Sequence, residues 1–171
     1  MGREAHTYFY HIITNYNNLS DRIIFLQGSP FDHKVNLDLL INGAPTTCKN
    51  IVTKYLTNQD SVNYTLVYLN HELNNFNWAS STWPNTRLSD QTLLDFAKNI
   101  NPNFLEETEI SLVWGAQFAI KKENILCHSI DFHQRLYSYF DHNNPIEGHY
   151  MERLWNEWAN CDNQVLFSEK K

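Results

Sequence analysis

The stretch "RIIFLQGSPFDHK", Arg22 to Lys34, decides the fold class of this chain. Its first half, "RIIFLQ", is a continuous apolar run of strand length, and "GSP" closes it as a turn. A strand that is apolar on both faces is typical of a sheet covered by helices, most often a parallel one. Because a helical pattern precedes this strand, the order of elements predicts an α/β domain.

The segment on the N-terminal side of this strand predicts an amphipathic helix between Glu4 and Tyr16, ended by "NYNNLSD". Its apolar residues recur with the helical period and share one face. They are Ala5, Phe9, Ile12, Ile13 and Tyr16.

Further along the chain, "ISLVWGAQFAI" predicts a second strong strand, interrupted by Gly115. A glycine within a strand often marks a bulge or the close approach of a ligand. Three helices are expected in this half of the chain. Ser89 would cap the first, Ser129 the second and Asn144 the third, with Pro145 in the first helical position.

The composition indicates one globular domain spanning residues 1–171, with 165–171 as a frayed tail. Hydrophobic residues make up 42% of the 171 residues, and the net charge of −6 argues against a nucleic-acid partner bound through bulk charge. No apolar run of about 18 residues and no secretory signal is present, so we expect a cytoplasmic protein without a membrane span. Three cysteines without a CxxC pair favour reduced thiols.

Asp32 and His33 follow the first strand, where α/β sheets commonly bind ligands. A divalent cation would accept an Asp oxygen and an imidazole nitrogen as ligands. The alternative is that Asp32 only caps a turn or a short helix. The sequence leaves both interpretations open.

The start of the last helix carries Glu147, His149, Glu152 and Arg153. A functional interpretation makes Glu147 or Glu152 a general base and Arg153 a phosphate or carboxylate ligand, with His149 as a further metal ligand. In the alternative, Glu147 closes a capping box and the other charges are solvated.

Two further candidate binding features lie elsewhere in the chain. Arg3 opens the first helix, where backbone amides attract anions, so it could bind a phosphate. Trp78 and Trp83 lie in a polar segment and could stack on sugars or bases, or anchor a loop.

Three segments resemble the domain-of-unknown-function family 3431 as an ordered set. They are "GREAHTYFYHIITNYNNLSDRIIFLQGSPFDH", "WGAQFAIKKENI" and "EGHYMERLW". By its arrangement, this family resembles the GT-A glycosyltransferases. The resemblance implies a mixed, mostly parallel sheet flanked by helices, lacking the usual N-terminal strands.

The same resemblance implies roles for individual residues. Gln27 and Gly28 stand where GT-A enzymes carry an acidic DxD motif, beside Asp32 and His33 as ligands of Mn²⁺ or Mg²⁺. Gly115 and Gln117 fall in the acceptor strand, and Glu147 or Glu152 takes the place of the catalytic acid or base.

The function expected from the resemblance is transfer of a sugar from a nucleotide sugar to a glycan acceptor, in a minimal or inactive form. Two alternatives stay open. One is a non-catalytic carbohydrate- or partner-binding module on the same scaffold. The other is a glycan hydrolase that uses paired carboxylates, such as Asp32 with Glu152. Missing N-terminal strands would leave a sheet edge that a homo-oligomer could cover.

Overall fold

The computed structural model describes residues 3–28, 66–68, 86, 89, 91–105, 109–111 and 116–160. The helices are α1 (Arg3–Asn15), α2 (Leu93–Ala97), α3 (Lys122–Leu126), α4 (Ile130–Phe140) and α5 (Ile146–Trp158). A 3₁₀ turn covers Tyr16–Asn18. The strands are β1 (Arg22–Phe25), β2 (Leu66–Tyr68), β3 (Glu109–Ser111) and β4 (Phe118–Lys121).

The strands that the structure describes pair in an antiparallel sense. β1 pairs with β4, and Arg22 lies opposite Lys121, while β2 pairs with β3. The mixed α/β class is confirmed, but the mostly parallel sheet of the GT-A type is not seen among these strands. Burial alternates along β1, with Ile23 and Phe25 buried and Ile24 partly exposed. This one-sided burial suits an antiparallel ladder.

The prediction of one strand across residues 110–120 is wrong, because this segment contains two strands that belong to different sheets. Between them, Ala116 has a φ of 49°, in the left-handed region, which turns the chain out of the extended conformation. The Tyr8 hydroxyl donates a hydrogen bond to the Ala116 carbonyl at 2.8 Å and ties this turn to α1. Gly115 lies outside the described residues.

Aromatic side chains fill the core between α1, α4 and α5. Phe9 stacks on Phe140 with ring centroids 5.5 Å apart and on Trp155 at 5.7 Å. Trp158 meets the same ring edge-on at 5.6 Å. All four residues are almost fully buried, and burial of such large rings is the main stabilising contribution to a core of this kind.

The predicted N-cap residue is confirmed for α4 and is wrong for α5. Ser129 accepts a hydrogen bond from the Phe132 amide at 3.2 Å, which confirms it as the cap of α4. Pro145, not Asn144, is the N-cap of α5. Asn144 has a φ of 48° and its amide donates to the Thr86 hydroxyl at 3.2 Å, so it cannot form the expected capping box with Glu147.

The start of α2 also differs from the prediction. Thr92 and Asp95 form a reciprocal capping box, which starts the helix three residues after Ser89. Ser89 accepts only a local hydrogen bond from the Gln91 amide at 3.0 Å. The capping box of Thr92 and Asp95 therefore determines where α2 begins.

Residues 141–145 connect the end of α4 to the start of α5, and the N-terminus of α1 lies beside both. His6 of α1 contacts Tyr137 of α4, and Arg3 of α1 contacts Gly148 of α5. This end of the helical core thus gathers three helix termini. In the described part of the chain, no helix has the length and apolar character needed to cross a bilayer.

Cys127, which ends α3, is disulfide-bonded. The expectation of reduced thiols is therefore wrong for this residue. Cys48 and Cys161 lie outside the described residues.

Candidate functional site

Four residues at the start of α1 and in the first two turns of α5 form what we call the arginine–histidine cluster: Arg3, His149, Glu152 and Arg153. His149 is fully buried and Arg153 is 6% exposed. The side chains of Arg3 and Glu152 are 26% and 21% exposed. The cluster therefore has a buried base and an accessible rim. The burial of Arg153 also excludes the alternative that it is a solvated charge.

The contact between Arg3 and His149 joins the two helices. The Arg3 Nη1 atom lies 2.6 Å from Nε2 and 3.0 Å from Nδ1 of the His149 ring. The pKa of His149 is lowered to about 3, mainly by burial and in smaller part by the positive charges of Arg3 and Arg153. The imidazole is thus neutral at pH 7, and its unprotonated nitrogen accepts the hydrogen bond from the guanidinium.

Glu152 lies between the two arginines. Its Oε1 atom is 3.0 Å from Arg3 Nη2, and its Oε2 atom is 3.5 Å from Arg153 Nη1. The same Nη1 group donates to the His149 carbonyl at 3.0 Å. Both carboxylate oxygens of Glu152 therefore contact a guanidinium, which suits a counter-ion better than a general base.

Gly148 gives Arg3 the space to lie across α5. A Cβ atom at this position would be 3.0 Å from Arg3 Cδ, closer than ordinary van der Waals contact. A glycine inside a helix is usually unfavourable. Here it lets the arginine side chain approach the helix backbone.

Glu147, the other candidate general base, lies on a different face of α5. It is five residues from Glu152, which corresponds to about 140° around an α-helix. Glu147 is 8% exposed and lies near Tyr150. Burial raises the pKa of Tyr150 to about 12, with smaller contributions from the negative charges of Glu147 and Asp95. The structure therefore does not bring the two candidate catalytic carboxylates together.

Of the predicted residues outside α1 and α5, the structure describes Gln27, Gly28 and Gln117. Gln117 is fully buried next to Ala116. Gln27 is half-buried and Gly28 exposed after β1, and no atom would lie within 4 Å of a Cβ at Gly28. Five other predicted residues lie outside the described residues: Asp32, His33, Trp78, Trp83 and Gly115.

The predicted metal site stays a prediction. Across the described ranges, no group of three or more His, Cys, Asp or Glu side chains is placed to hold one metal ion. The Arg3 guanidinium also lies against both ring nitrogens of His149, where a cation would have to bind. His149 and its described neighbours therefore do not by themselves fit a divalent cation.

A cavity of about 710 Å³ lies at the other end of α4 and α5. Lys98 and Arg135 contribute positive charges to its walls, and Asp131 and Glu157 contribute negative charges. None of the residues that the sequence singled out as binding or catalytic lines it. Its balanced charges favour no one ligand class, so the cluster and not the cavity is the candidate site.

The family comparison identifies the chain. A family model described as "Protein of unknown function (DUF3431)" matches residues 1–170. This chain belongs to the DUF3431 family. No curated protein and no solved structure matches the chain. Within this DUF3431 member, Arg3 of the motif "GRE" forms an ion pair with Glu152 of the motif "ERLW", although nearly the whole chain separates them. Glu152 in turn contacts Arg153 of the same motif.

Sequence reasoning found the members of the cluster but not their arrangement. The buried state of His149 and the bridging position of Glu152 depend on α1 lying across the start of α5. The spacing "EGH", with a glycine between two ionisable residues, was the available signal for that approach. His6, which the sequence pattern did not single out, lies one turn from Arg3 in contact with Tyr137.

Proposed function

We propose that this DUF3431 protein is glycosyltransferase-like and binds the diphosphate of a nucleotide sugar at the arginine–histidine cluster. The observation that carries the proposal is the convergence of two guanidinium groups on one buried residue near the start of two helices: Arg3 contacts the neutral His149 imidazole and Arg153 donates to the His149 backbone carbonyl. Guanidinium groups bind phosphate oxygens with paired, charge-assisted hydrogen bonds.

The helix geometry supports the same ligand class. α5 has 13 residues, and its N-cap Pro145 makes no side-chain hydrogen bond to the first amides. The first amides of a helix and its dipole favour an anion. Arg3 adds a partly exposed positive charge at this position.

Glu152 acts as the counter-ion that the ligand replaces. In the structure, its carboxylate holds Arg3 and Arg153 in place. A phosphate arriving at the rim competes with this carboxylate for Arg3. Removing the negative charge of Glu152 should therefore strengthen phosphate binding, whereas loss of a general base would leave binding unchanged and abolish turnover.

A titration of inorganic pyrophosphate, measured by calorimetry, tests the proposal. Replacement of Arg3→Gln should weaken binding by about tenfold or more, because a hydrogen bond to a charged group contributes about 1.5–3 kcal/mol. Glu152→Gln should strengthen binding. Arg135→Gln, at the far cavity, is the matched control and should change nothing. Absence of pyrophosphate binding by the wild-type protein, or weaker binding by Glu152→Gln, would contradict the proposal.

A second candidate function is the non-catalytic binding module on the same scaffold. The separation of Glu147 from Glu152, and the contacts of Glu152 with two arginines, favour it. Turnover separates the two candidates. Release of nucleoside diphosphate from a nucleotide sugar with Mn²⁺, abolished in Glu147→Gln, would support the transferase, and binding without release would support the module. The hydrolase would need Asp32, which lies outside the described residues, opposite Glu152.

A further inference from the structure

A row of side chains runs along the solvent face of α1, starting at the cluster. Arg3, His6 and Tyr10 are spaced at i, i+3 and i+7, which places them on one face of a helix. The rise along a helix puts His6 about 4.5 Å and Tyr10 about 10 Å beyond Arg3. Tyr10 is 58% exposed and does not belong to the hydrophobic core.

The neighbouring helix α4 completes this surface. The Tyr137 hydroxyl lies 2.9 Å from His6 Nε2, and the two rings are 4.9 Å apart at an angle of 39°. The ring centroids of Tyr10 and Tyr137 are 6.4 Å apart. Asp141, at the end of α4, has its carboxylate 3.9 Å from His6 Nε2 and is 72% exposed. The three rings therefore contact one another, and Tyr137 also packs against the hydrophobic core, which holds it in place.

We propose that His6, Tyr10, Tyr137 and Asp141 form a sugar subsite, which binds the pyranose ring of a sugar phosphate whose phosphate lies at Arg3. This inference rests on the proposed function, because the phosphate fixes one end of the ligand. A pyranose ring presents C–H groups that pack on aromatic faces and hydroxyl groups that need hydrogen-bond partners. The exposed Tyr10 ring and the partly buried Tyr137 ring, beside the Asp141 carboxylate and the His6 imidazole, offer both.

The chemistry of the polar groups fits a neutral, hydroxyl-rich ligand. Burial raises the pKa of Tyr137, and the nearby Asp141 and Tyr10 raise it further, so its hydroxyl stays protonated at neutral pH. The Asp141 carboxylate can only accept hydrogen bonds, so it suits hydroxyl donors and disfavours a second phosphate. The anionic group of the ligand is therefore directed to Arg3 and the sugar ring to the tyrosines.

The test compares inorganic phosphate with the 1-phosphates of glucose, galactose, mannose and N-acetylglucosamine, titrated into the same protein. At least one sugar phosphate should bind more tightly than inorganic phosphate, by about twofold to tenfold, which corresponds to an aromatic contact of about 0.5–1.5 kcal/mol. Tyr10→Ala should remove this advantage and leave the phosphate affinity unchanged. Tyr10→Phe, which keeps the ring, should retain most of it.

Three controls make the result decisive. Thr14→Ala changes an exposed position one turn further along α1 and should have no effect. Arg3→Gln should weaken phosphate and sugar phosphate by the same factor. Thermal unfolding should show that Tyr10→Ala is folded, because Tyr10 lies outside the core.

The failures of the two proposals are distinguishable. If phosphate binds through Arg3 but no sugar phosphate in the panel binds more tightly, the subsite is wrong and the proposed function stands. If Tyr10→Ala weakens phosphate and sugar phosphate equally, the subsite is also wrong. If neither pyrophosphate nor any sugar phosphate binds, both proposals are wrong.

Discussion

Buried neutral histidines occur at both ends of α5, but their partners differ. At the arginine–histidine cluster, His149 accepts a hydrogen bond from the charged Arg3 side chain. At the other end, His128 Nε2 donates to the Trp158 carbonyl at 2.7 Å, and His133 Nε2 donates to the Ile125 carbonyl at 3.1 Å. We call His128 and His133 the histidine pair. Burial is the main cause of the lowered pKa of all three histidines.

The difference shows which end can respond to a ligand. The backbone carbonyls that hold the histidine pair belong to helix ends and cannot be exchanged for an incoming group. The guanidinium at His149 is on a side chain that is 26% exposed and already shared with a carboxylate. The histidine pair therefore stabilises the fold, whereas the cluster can exchange partners. Four predictions test this comparison.

The largest loss in the free energy of unfolding is expected from Trp158→Ala, which removes a side chain packed against the histidine pair. Trp158 is fully buried, stacks over His128 and meets Phe9 edge-on. Truncation of such a residue usually lowers the free energy of unfolding by about 3–5 kcal/mol. Urea denaturation at pH 7.5 measures it, with the exposed Leu126→Ala as control. A loss below about 1 kcal/mol would contradict the assigned packing.

Acid should destabilise the protein through its buried histidines. The ordinary pKa of histidine is near 6.5, and burial lowers that of His133 to about 4 in the folded state. The unfolded chain therefore binds more protons, so the contribution is complete above pH 6.5 and is lost as the pH falls towards 4. Between pH 7 and pH 5, the loss is on the order of 2 kcal/mol for this residue.

Replacement of His133→Leu isolates that contribution. His133 Nδ1 is buried without a hydrogen-bond partner, and the Ile125 carbonyl keeps the His128 amide as a donor. The variant should be stable at pH 7 and should lose less stability than the wild type at pH 5. Urea midpoints at the two pH values measure this, and an unchanged pH dependence would show that His133 does not titrate on unfolding.

A smaller effect on stability is expected from Arg3→Gln at the cluster. The variant loses the contacts with His149 and Glu152. Because Arg3 is partly exposed, the expected cost is only about 1 kcal/mol. The pKa of His149 should rise, though not to its ordinary value, because burial is the first cause of its depression. NMR titration of the imidazole checks this.

The matched control for that titration is Arg135→Gln. Arg135 is exposed and donates to the Asn99 carbonyl, away from the cluster. The Arg135→Gln substitution should leave the pKa of His149 unchanged. A pKa of His149 that does not move in Arg3→Gln would show that the two side chains are not coupled.

The smallest effect on stability is expected from Gly148→Ala. Alanine in a helix is favoured over glycine by about 1 kcal/mol, but its Cβ would lie 3.0 Å from Arg3 Cδ and displace that side chain. The two effects nearly cancel, so the melting temperature should change little while pyrophosphate affinity falls several-fold. Gly28→Ala is the control, because no atom would lie within 4 Å of the Cβ that this substitution adds. Unchanged affinity in Gly148→Ala would place the ligand away from Arg3.

The sequence was informative where local signals decide the structure. The apolar period predicted α1, and Ser129 predicted the start of α4. Local signals did not identify Ala116, since the sequence singled out the neighbouring Gly115 and a left-handed backbone is unusual for an alanine. They also failed at Asn144, where the polar residue before Pro145 resembles a cap but turns away to Thr86.

The candidate site was partly predictable for the same reason. The residue types of the cluster are visible in "GRE" and "ERLW". Their roles are not, because the burial of Arg153 and the position of Glu152 between two arginines depend on packing between distant segments. The separation of Glu147 from Glu152 follows from helical geometry only after the helix boundaries are known.

The hydrogen bond from Tyr8 to the Ala116 carbonyl has a consequence for how the protein moves. Burial keeps the pKa of Tyr8 far above neutral, so this hydroxyl remains a donor. It anchors α1 to the chain that leads into β4, about a turn and a half from Arg3. Sliding of α1 along its axis would break this bond. We therefore expect a ligand at Arg3 to change side-chain rotamers while the amide exchange rates along the middle of α1 stay the same.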